Sequence, residues 1–243
     1  VSAGPHGVVP AIVPALVADE LDVLEALLPL EDARIVELGC GAAAIARALL
    51  GRHARASVTA LEVDVRQHAK NLAAPRDRLS FVAAGAQDVP FPDASFDVAL
   101  MLKSLHHVPL ALMGRALAEA ARVLTPGGLL YVSEPVYAGP FNDLVRLYND
   151  EGRVRAAAQD ALDAALAGGA WRPRTEVRFA TESTFRDFDD WEARMMRPTF
   201  AEFDVDDALR ERVRAAFEPH LRDGGARFER PLHVRVLERV ACG

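Results

Sequence analysis

Arg34-Ile35-Val36-Glu37-Leu38-Gly39-Cys40-Gly41-Ala42-Ala43-Ala44-Ile45-Ala46 (RIVELGCGAAAIA) reads as a buried strand, a glycine turn and the opening of a helix. The same alternation continues outward. Short apolar runs at 35–38, 58–62, 79–83, 98–102 and 129–133 read as five buried strands. Between them, 45–50, 65–73 and 110–124 carry apolar residues at three- and four-residue spacing, as helices do. The turns fall at Pro90-Phe91-Pro92-Asp93 and Thr125-Pro126-Gly127-Gly128, where proline and glycine stop both kinds of element. Strands alternating with helices predict a parallel sheet covered on both faces, joined by right-handed crossovers into a doubly wound α/β fold.

Beyond Glu134 the alternation ends. Helical patterns are expected at 141–150 and 154–167, a strand at 176–180, a short helix at 189–196, a longer one at 206–221, and a last strand at 232–239. Ten of the sixteen aromatic residues lie between Tyr137 and Phe203. They form either the core of accessory helices or a lid over an apolar substrate cavity.

The chain has 243 residues, 51% of them hydrophobic, and a net charge of −7. That balance argues against nucleic-acid and anionic-membrane partners, which favour a basic face. The arginines at 210–214 alternate with acids and read as a solvated helix face. Two cysteines, Cys40 and Cys242, imply no disulfide framework. No secretory signal is visible, and the apolar opening VVPAIVPALV is broken by Pro10 and Pro14, far short of the ~20 residues of a membrane span. A cytoplasmic protein is expected.

In a doubly wound sheet, ligands bind at the carboxyl ends of the strands, where the strand order reverses. Those ends carry Glu37 with the Gly39/Gly41 turn, Glu62, Gly85-Ala86-Gln87-Asp88, Leu102-Lys103-Ser104 and Glu134. The glycines let a ligand approach the backbone, and Glu62 suits a ribose diol. Gly39-x-Gly41-x-x-Ala44 would also pass as a dinucleotide fingerprint. Glu37 separates the two ligands, because a carboxylate within about 4–6 Å repels a pyrophosphate. S-adenosylmethionine brings a sulfonium and an ammonium to the same turn, and there the acid attracts.

At this point the chain resembles the class I S-adenosylmethionine-dependent methyltransferases. Glu37-Leu38-Gly39-Cys40-Gly41 and Val58-Thr59-Ala60-Leu61-Glu62 are similar to that family's first two motifs. Asp88-Val89-Pro90-Phe91-Pro92-Asp93-Ala94-Ser95-Phe96-Asp97-Val98 resembles its D-L-P-F-P-D-x-S-F-D-x-V run. Leu105-His106-His107-Val108 resembles L-H-H-V, and Arg122-Val123-Leu124-Thr125-Pro126-Gly127-Gly128 resembles R-V-L-K-P-G-G. The resemblance implies a mostly parallel seven-stranded sheet with a helical insertion after the fifth strand. It divides one domain into a helical cap (1–30), a cofactor-binding core (31–134), a helical, aromatic-rich insertion (135–200) and a closing helix and strand (201–243). It implies that Glu37, Gly39, Cys40 and Gly41 hold the methionine moiety and Glu62 the ribose. Val63 would pack on adenine, Ala86 and Gln87 would edge it, and Leu102 and Lys103 would border the methionine side. The chain departs from the family at Ala43, where a third glycine is common, and at Gly85, where an aspartate for the adenine amine is common.

For chemistry, His106, His107, Glu134 and Tyr137 are the candidate bases, and Asn142, Tyr148 and Asn149 the candidate substrate contacts. The two histidines are adjacent and have no His, Asp or Glu at ligand spacing, so no metal is expected. One histidine serves as general base, or the pair orders its loop. Cys40 is read as packing. The expected function is methyl transfer to a small, partly apolar acceptor. A cofactor-binding protein without transfer and an NAD-dependent oxidoreductase are the alternatives. Strand four ends in Leu102-Lys103-Ser104-Leu105, not in an Asn/Asp-Pro-Pro-aromatic motif, which counts against a nucleic-acid amino group as acceptor.

Overall fold

The computed structural model describes residues 15–197 and 203–241. The strands are β1 (Leu16–Val17), β2 (Arg34–Leu38), β3 (Ser57–Leu61), β4 (Leu79–Val82), β5 (Phe96–Leu102), β6 (Leu124–Pro135), β7 (Trp171–Phe185), β8 (Leu221–Arg222) and β9 (Gly225–Arg239). They form one sheet in the order β1-β7-β9-β6-β5-β2-β3-β4, with β8 on β9. The pairs among β2 to β6 are parallel, whereas β9 runs antiparallel between β6 and β7. The fold is therefore the expected one, with two two-residue strands added to seven long ones. Among the described residues no helix is long and apolar enough to cross a membrane.

The helices are α1 (Glu20–Leu27), α2 (Ala44–Arg52), α3 (Val65–Leu72), α4 (Met113–Val123), α5 (Pro140–Val145), α6 (Gly152–Ala167), α7 (Phe188–Trp191) and α8 (Asp207–Phe217). Aspartates start four of them. Asp19, Asp64, Asp187 and Asp206 accept the backbone N–H of Leu21, Arg66, Asp190 and Leu209 at 2.9, 2.9, 2.8 and 2.7 Å, satisfying donors a helix start leaves free. One face of the sheet buries Ile35, Val58, Val98 and Tyr131 against Leu21 and Leu24 of α1 and Leu49 of α2. The other buries Val36, Leu61, Met101 and Val132 against Leu117 of α4 and Leu162 of α6. With both faces covered, these strands need apolar residues at every position, which is why their runs are continuous.

Three expectations need correction. The insertion over 135–200 is not helical throughout: β7 extends for fifteen residues as a full strand of the sheet. The cap over 1–30 contains β1 as well as α1, and residues 1–14 lie outside the described residues. Thr125–Gly128 lies inside β6, not between elements. The register moves from Phe96↔Leu124 to Val98↔Leu129, so those residues bulge out of the ladder, with Gly127 at φ +80°.

Aromatics of the insertion and of the closing segment make a third core. Phe141, Phe185, Trp191, Phe217 and Phe228 are all buried. Trp191 meets the rings of the other four with centroids 4.8–5.7 Å away, and Phe228 likewise meets its other four. These rings are packing, beyond the carboxyl edge of the sheet.

Candidate functional site

From β2 the chain steps outward to β3 and β4, then crosses back to β5 and β6 on the other side. The order therefore reverses between β2 and β5, and the carboxyl ends of those strands frame the crevice. Gly39 and Gly41 turn the chain there at φ +81° and +52°. A Cβ on Gly39 would stand 2.9 Å from Ser104 Cβ, so a side chain at 39 would push the β2 and β5 ends apart. Ser104 Oγ closes the same seam by donating to Leu38 O at 2.7 Å. Asn71 of α3, buried and missed by sequence reasoning, donates to Gly41 O at 2.8 Å and braces the turn from the far side.

Ala43, in the family's third glycine position, is buried with φ +54°. A left-handed backbone costs an L-residue about 1–2 kcal/mol. Relief of that strain offsets the lost methyl in Ala43→Gly. We expect its stability to stay within about 1 kcal/mol of wild type, while Ala46→Gly, buried mid-helix, loses about 1–2 kcal/mol. Urea unfolding of both variants checks this, and equal losses would refute it.

Three acids meet at the turn. Glu62 spans it, accepting Gly41 N–H at 2.7 Å on Oε2 and Asp64 N–H at 2.8 Å on Oε1. One lone pair on each oxygen remains for a ligand. Glu37 is 3% exposed, and its Oε2 has no hydrogen-bond partner among the described residues. Burial pushes its carboxyl up to about 8; Lys103 opposes the rise, and Glu20 and Glu62 add to it. Lys103 stands at φ +57° and gives its ammonium to the buried Glu20 of α1. Cys40 is buried, and burial raises its thiol above the usual value, which suits packing and not nucleophilic chemistry.

The remaining positions expected at this edge fall around the same crevice. Val63 is 67% exposed directly after Glu62, an apolar surface without cover among the described residues. Leu102 and Ala86 are buried. The departure at Gly85 has a physical counterpart: a Cβ there would lie 2.5 Å from Gln87 Nε2. The Gln87 amide thus occupies the space in which a side chain at 85 would start. Arg122 fixes the loop beyond it, donating to Val89 O and Phe91 O at 2.8 Å each.

The catalytic candidates divide. His106 is 4% and Glu134 1% exposed, and His106 Nδ1 donates to Glu134 Oε2 at 2.5 Å. The other oxygen of Glu134 accepts Leu105 N–H at 3.1 Å, so the carboxylate is held at both ends. With the ring proton on Nδ1, the Nε2 lone pair is free. His107 stacks against His106 with centroids 4.1 Å apart. The protein around its ring and the His106 ring hold it below the usual imidazole value, although one edge reaches solvent. Tyr137 is half-exposed and donates its hydroxyl to Asp150 at 2.8 Å, a bond that raises its pKa and opposes service as a base.

Helix α6 brings Glu151, which the sequence offers among the polar residues near Tyr148, to a histidine far from it in the chain. Glu151, at the helix start, places Oε2 3.9 Å from His106 Nε2 and accepts Arg155 Nη2 at 2.6 Å. Asn149 donates to Glu151 Oε1 at 3.0 Å, and Arg155 donates to Asn142 at 2.9 Å. Asn142 and Asn149 therefore hold this network together. Tyr148, the third substrate candidate, buries a hydroxyl that has no partner among the described residues. His106, His107 and Glu151 bring ligand-capable atoms within 4.8 Å of one another, a clustering that adjacency in sequence did not suggest. Arg155 and Asn149 already occupy both oxygens of Glu151, and a cation would have to displace them.

Comparisons with known proteins bear on the same segment. A family model described as a methyltransferase domain matches residues 36–132. The chain is similar to 27-O-demethylrifamycin SV methyltransferase of Amycolatopsis mediterranei, with 33% identity over 164 residues, 63% of this chain and 60% of that one. It spans about three-fifths of that relative's length. A SAM-dependent methyltransferase from Methanosarcina mazei shares the fold at a TM-score of 0.57 and 17% identity, over 90% of this chain and 98% of that one. Geranyl diphosphate methyltransferase, solved in complex with SAM, shares it at a TM-score of 0.58 and 18% identity, over 91% of this chain and 84% of that one. The methyltransferase-domain match thus spans the Gly39/Gly41 turn, Glu62 and the His106 loop, and the chain shares its fold with solved methyltransferases.

Proposed function

We propose that the chain is an S-adenosylmethionine-dependent methyltransferase acting on a small, partly apolar acceptor. The carrying observation is Glu37, a buried acid with an unpartnered oxygen at a turn held open by two left-handed glycines. Such a carboxyl favours a cationic donor, which draws off its proton and pairs with the carboxylate, whereas a pyrophosphate gains nothing from ionising it, which weighs against the dinucleotide alternative. Glu37, Gly39, Cys40 and Gly41 would hold the methionine moiety, with Leu102 and Lys103 at its border. Glu62 offers its two remaining lone pairs to the ribose, Val63 its exposed face to adenine, and Ala86 and Gln87 the adenine edge.

When bound, the cofactor supplies a methyl group already activated by its sulfonium. The protein's part is then to hold the acceptor in line, exclude water and, for an O–H or acidic C–H acceptor, remove a proton. His106 takes that proton at Nε2, and Glu134 fixes the ring and balances the imidazolium. A small-molecule acceptor suits the acidic chain, and the cytoplasmic placement belongs to the same reading, resting on cysteine usage.

Calorimetric titration with S-adenosylmethionine, S-adenosylhomocysteine and NAD tests the proposal. We expect both sulfur compounds to bind and NAD to give no heat; binding of NAD alone would overturn it. Glu62→Ala should weaken S-adenosylhomocysteine by about 1–3 kcal/mol, the range for charged hydrogen bonds. Unchanged affinity would place the ribose elsewhere.

A further inference from the structure

On the acceptor side of the crevice Glu20 is paired with the Lys103 ammonium and Glu151 with the Arg155 guanidinium, while Glu134 accepts the His106 ring N–H. Arg230 differs. Arg230 lies in β9 where that strand overshoots the carboxyl end of β6, next to Pro231, whose carbonyl accepts Val136 N–H at 2.9 Å. Its guanidinium is half-buried over the face of Phe141, 4.5 Å from the ring centroid. Among the described residues it has no carboxylate partner and no hydrogen bond. Its N–H donors stay available at a site where the Phe141 ring face holds the guanidinium. Burial, above all, and the nearby Arg155 lower the guanidinium from its usual value, while Glu20 and Glu151, neither bonded to it, act the other way.

A second, independent feature is the Tyr148 hydroxyl, buried and without a hydrogen-bond partner among the described residues. Tyr148 packs on the same aromatic core that carries Phe141 and feels the charge of Arg230. A buried hydroxyl left unsatisfied costs about 1–3 kcal/mol, and a guanidinium on the same aromatic core with no carboxylate bonded to it keeps its N–H donors open to an anion. One ligand group meets both needs: an oxyanion accepting from the Arg230 fork and from the Tyr148 O–H. A neutral amide or alcohol leaves the guanidinium uncompensated.

We propose that Arg230 and Tyr148 form a carboxylate-binding subsite that anchors the acceptor, so that the substrate class is a small organic acid with an apolar body. The inference deepens the methyltransferase reading and assigns the anchor of that acceptor, while His106 serves the reacting end. The carboxylate is held, not consumed, so no bond is made or broken at this subsite.

The test is direct binding of four probes to the full chain saturated with S-adenosylhomocysteine: octanoate and 4-hydroxyphenylacetate, each beside its own primary amide. We expect each acid to bind at least about tenfold more tightly than its amide, a difference of ~1.4 kcal/mol. Arg230→Met should erase that preference while leaving amide affinity in place. Tyr148→Phe should reduce it, and Arg227→Met, at an exposed arginine paired with Glu182, should leave it intact. Equal affinity for acid and amide, no binding of either acid up to on the order of 10 mM, or a preference that survives Arg230→Met would each overturn the proposal. The two readings fail separately. An acid preference without any response to the sulfur cofactors keeps the subsite and removes the methyltransferase; cofactor binding without acid preference does the opposite.

Discussion

Replacing His106 with asparagine lowers turnover by about 10²- to 10⁴-fold and leaves S-adenosylhomocysteine affinity unchanged. The range is that of a general base removed from a reaction that needs one. Asparagine keeps a polar group near Glu134 Oε2, now 2.5 Å from His106 Nδ1, so the loop over 105–107 retains its anchor. What is lost is the Nε2 lone pair. Glu134 acts through His106, and its replacement reads differently. Glu134→Gln still accepts from Nδ1 and holds the ring, but offers no charge to the imidazolium. One charge-assisted hydrogen bond is worth about 1.5–3 kcal/mol, so kcat should fall by about one to two powers of ten with KM unchanged. The readout is release of S-adenosylhomocysteine with an acceptor that supports turnover. Full kcat in His106→Asn would show that the histidine only orders its loop.

The legible parts of the site are those in which one short segment carries both the fold and the chemistry. Glu37, Gly39 and Gly41 sit in a strand, a turn and a helix start that any reading of thirteen residues separates. Glu62 is found by register alone, since β2 and β3 pair in parallel with Leu38 beside Leu61. The hidden parts are joined only by tertiary packing. Glu151 reaches His106 because α6 packs under the loop, and Lys103 reaches Glu20 across 83 positions of sequence. Neither contact leaves a local trace.

Strand β9 is the instructive intermediate. Ala226, Phe228, Leu232, Val234 and Val236 are buried at every second position, so the period-2 pattern runs from 226 onward. Arg230 interrupts it, and that interruption is why the strand was expected to begin only at 232. The residue that obscured the strand is the one that carries the anion subsite. In β7 the cause is different. The exposed positions of Trp171–Phe185 hold arginine, glutamate and threonine in alternation with a sparse apolar set, and Pro173 sits near its start. An edge-proximal strand of this kind needs few apolar residues, because one face is only partly covered.

Glu37→Gln should move stability and cofactor affinity in opposite directions. In the empty protein the Glu37 carboxyl is pushed up to about 8 by burial, above the ordinary 4.5. The folded chain therefore holds this proton more tightly than the unfolded chain. Unfolding releases it, and stability declines as pH rises from about 4.5 to 8, at up to ~1.4 kcal/mol per pH unit. Glutamine has the same shape and no proton to lose. Near pH 5 the two proteins should be about equally stable, and by pH 8–9 the variant should be more stable by about 2–5 kcal/mol. Urea unfolding of both across pH 5–9 measures this difference, with every other titrating group common to the pair. A cationic ligand reverses the balance, since it favours the carboxylate and draws the proton off. At pH 7, S-adenosylmethionine binding should release about one proton in wild type and none in Glu37→Gln, seen by calorimetry in buffers of different ionisation enthalpy. Affinity in the variant should drop by about 10- to 100-fold, the worth of one charge-assisted bond. A stability gap independent of pH would mean that Glu37 is ionised in the empty protein. Equal cofactor affinity would mean that its free oxygen faces something other than the bound cation. The same acid thus destabilises the empty turn and selects the ligand that fills it.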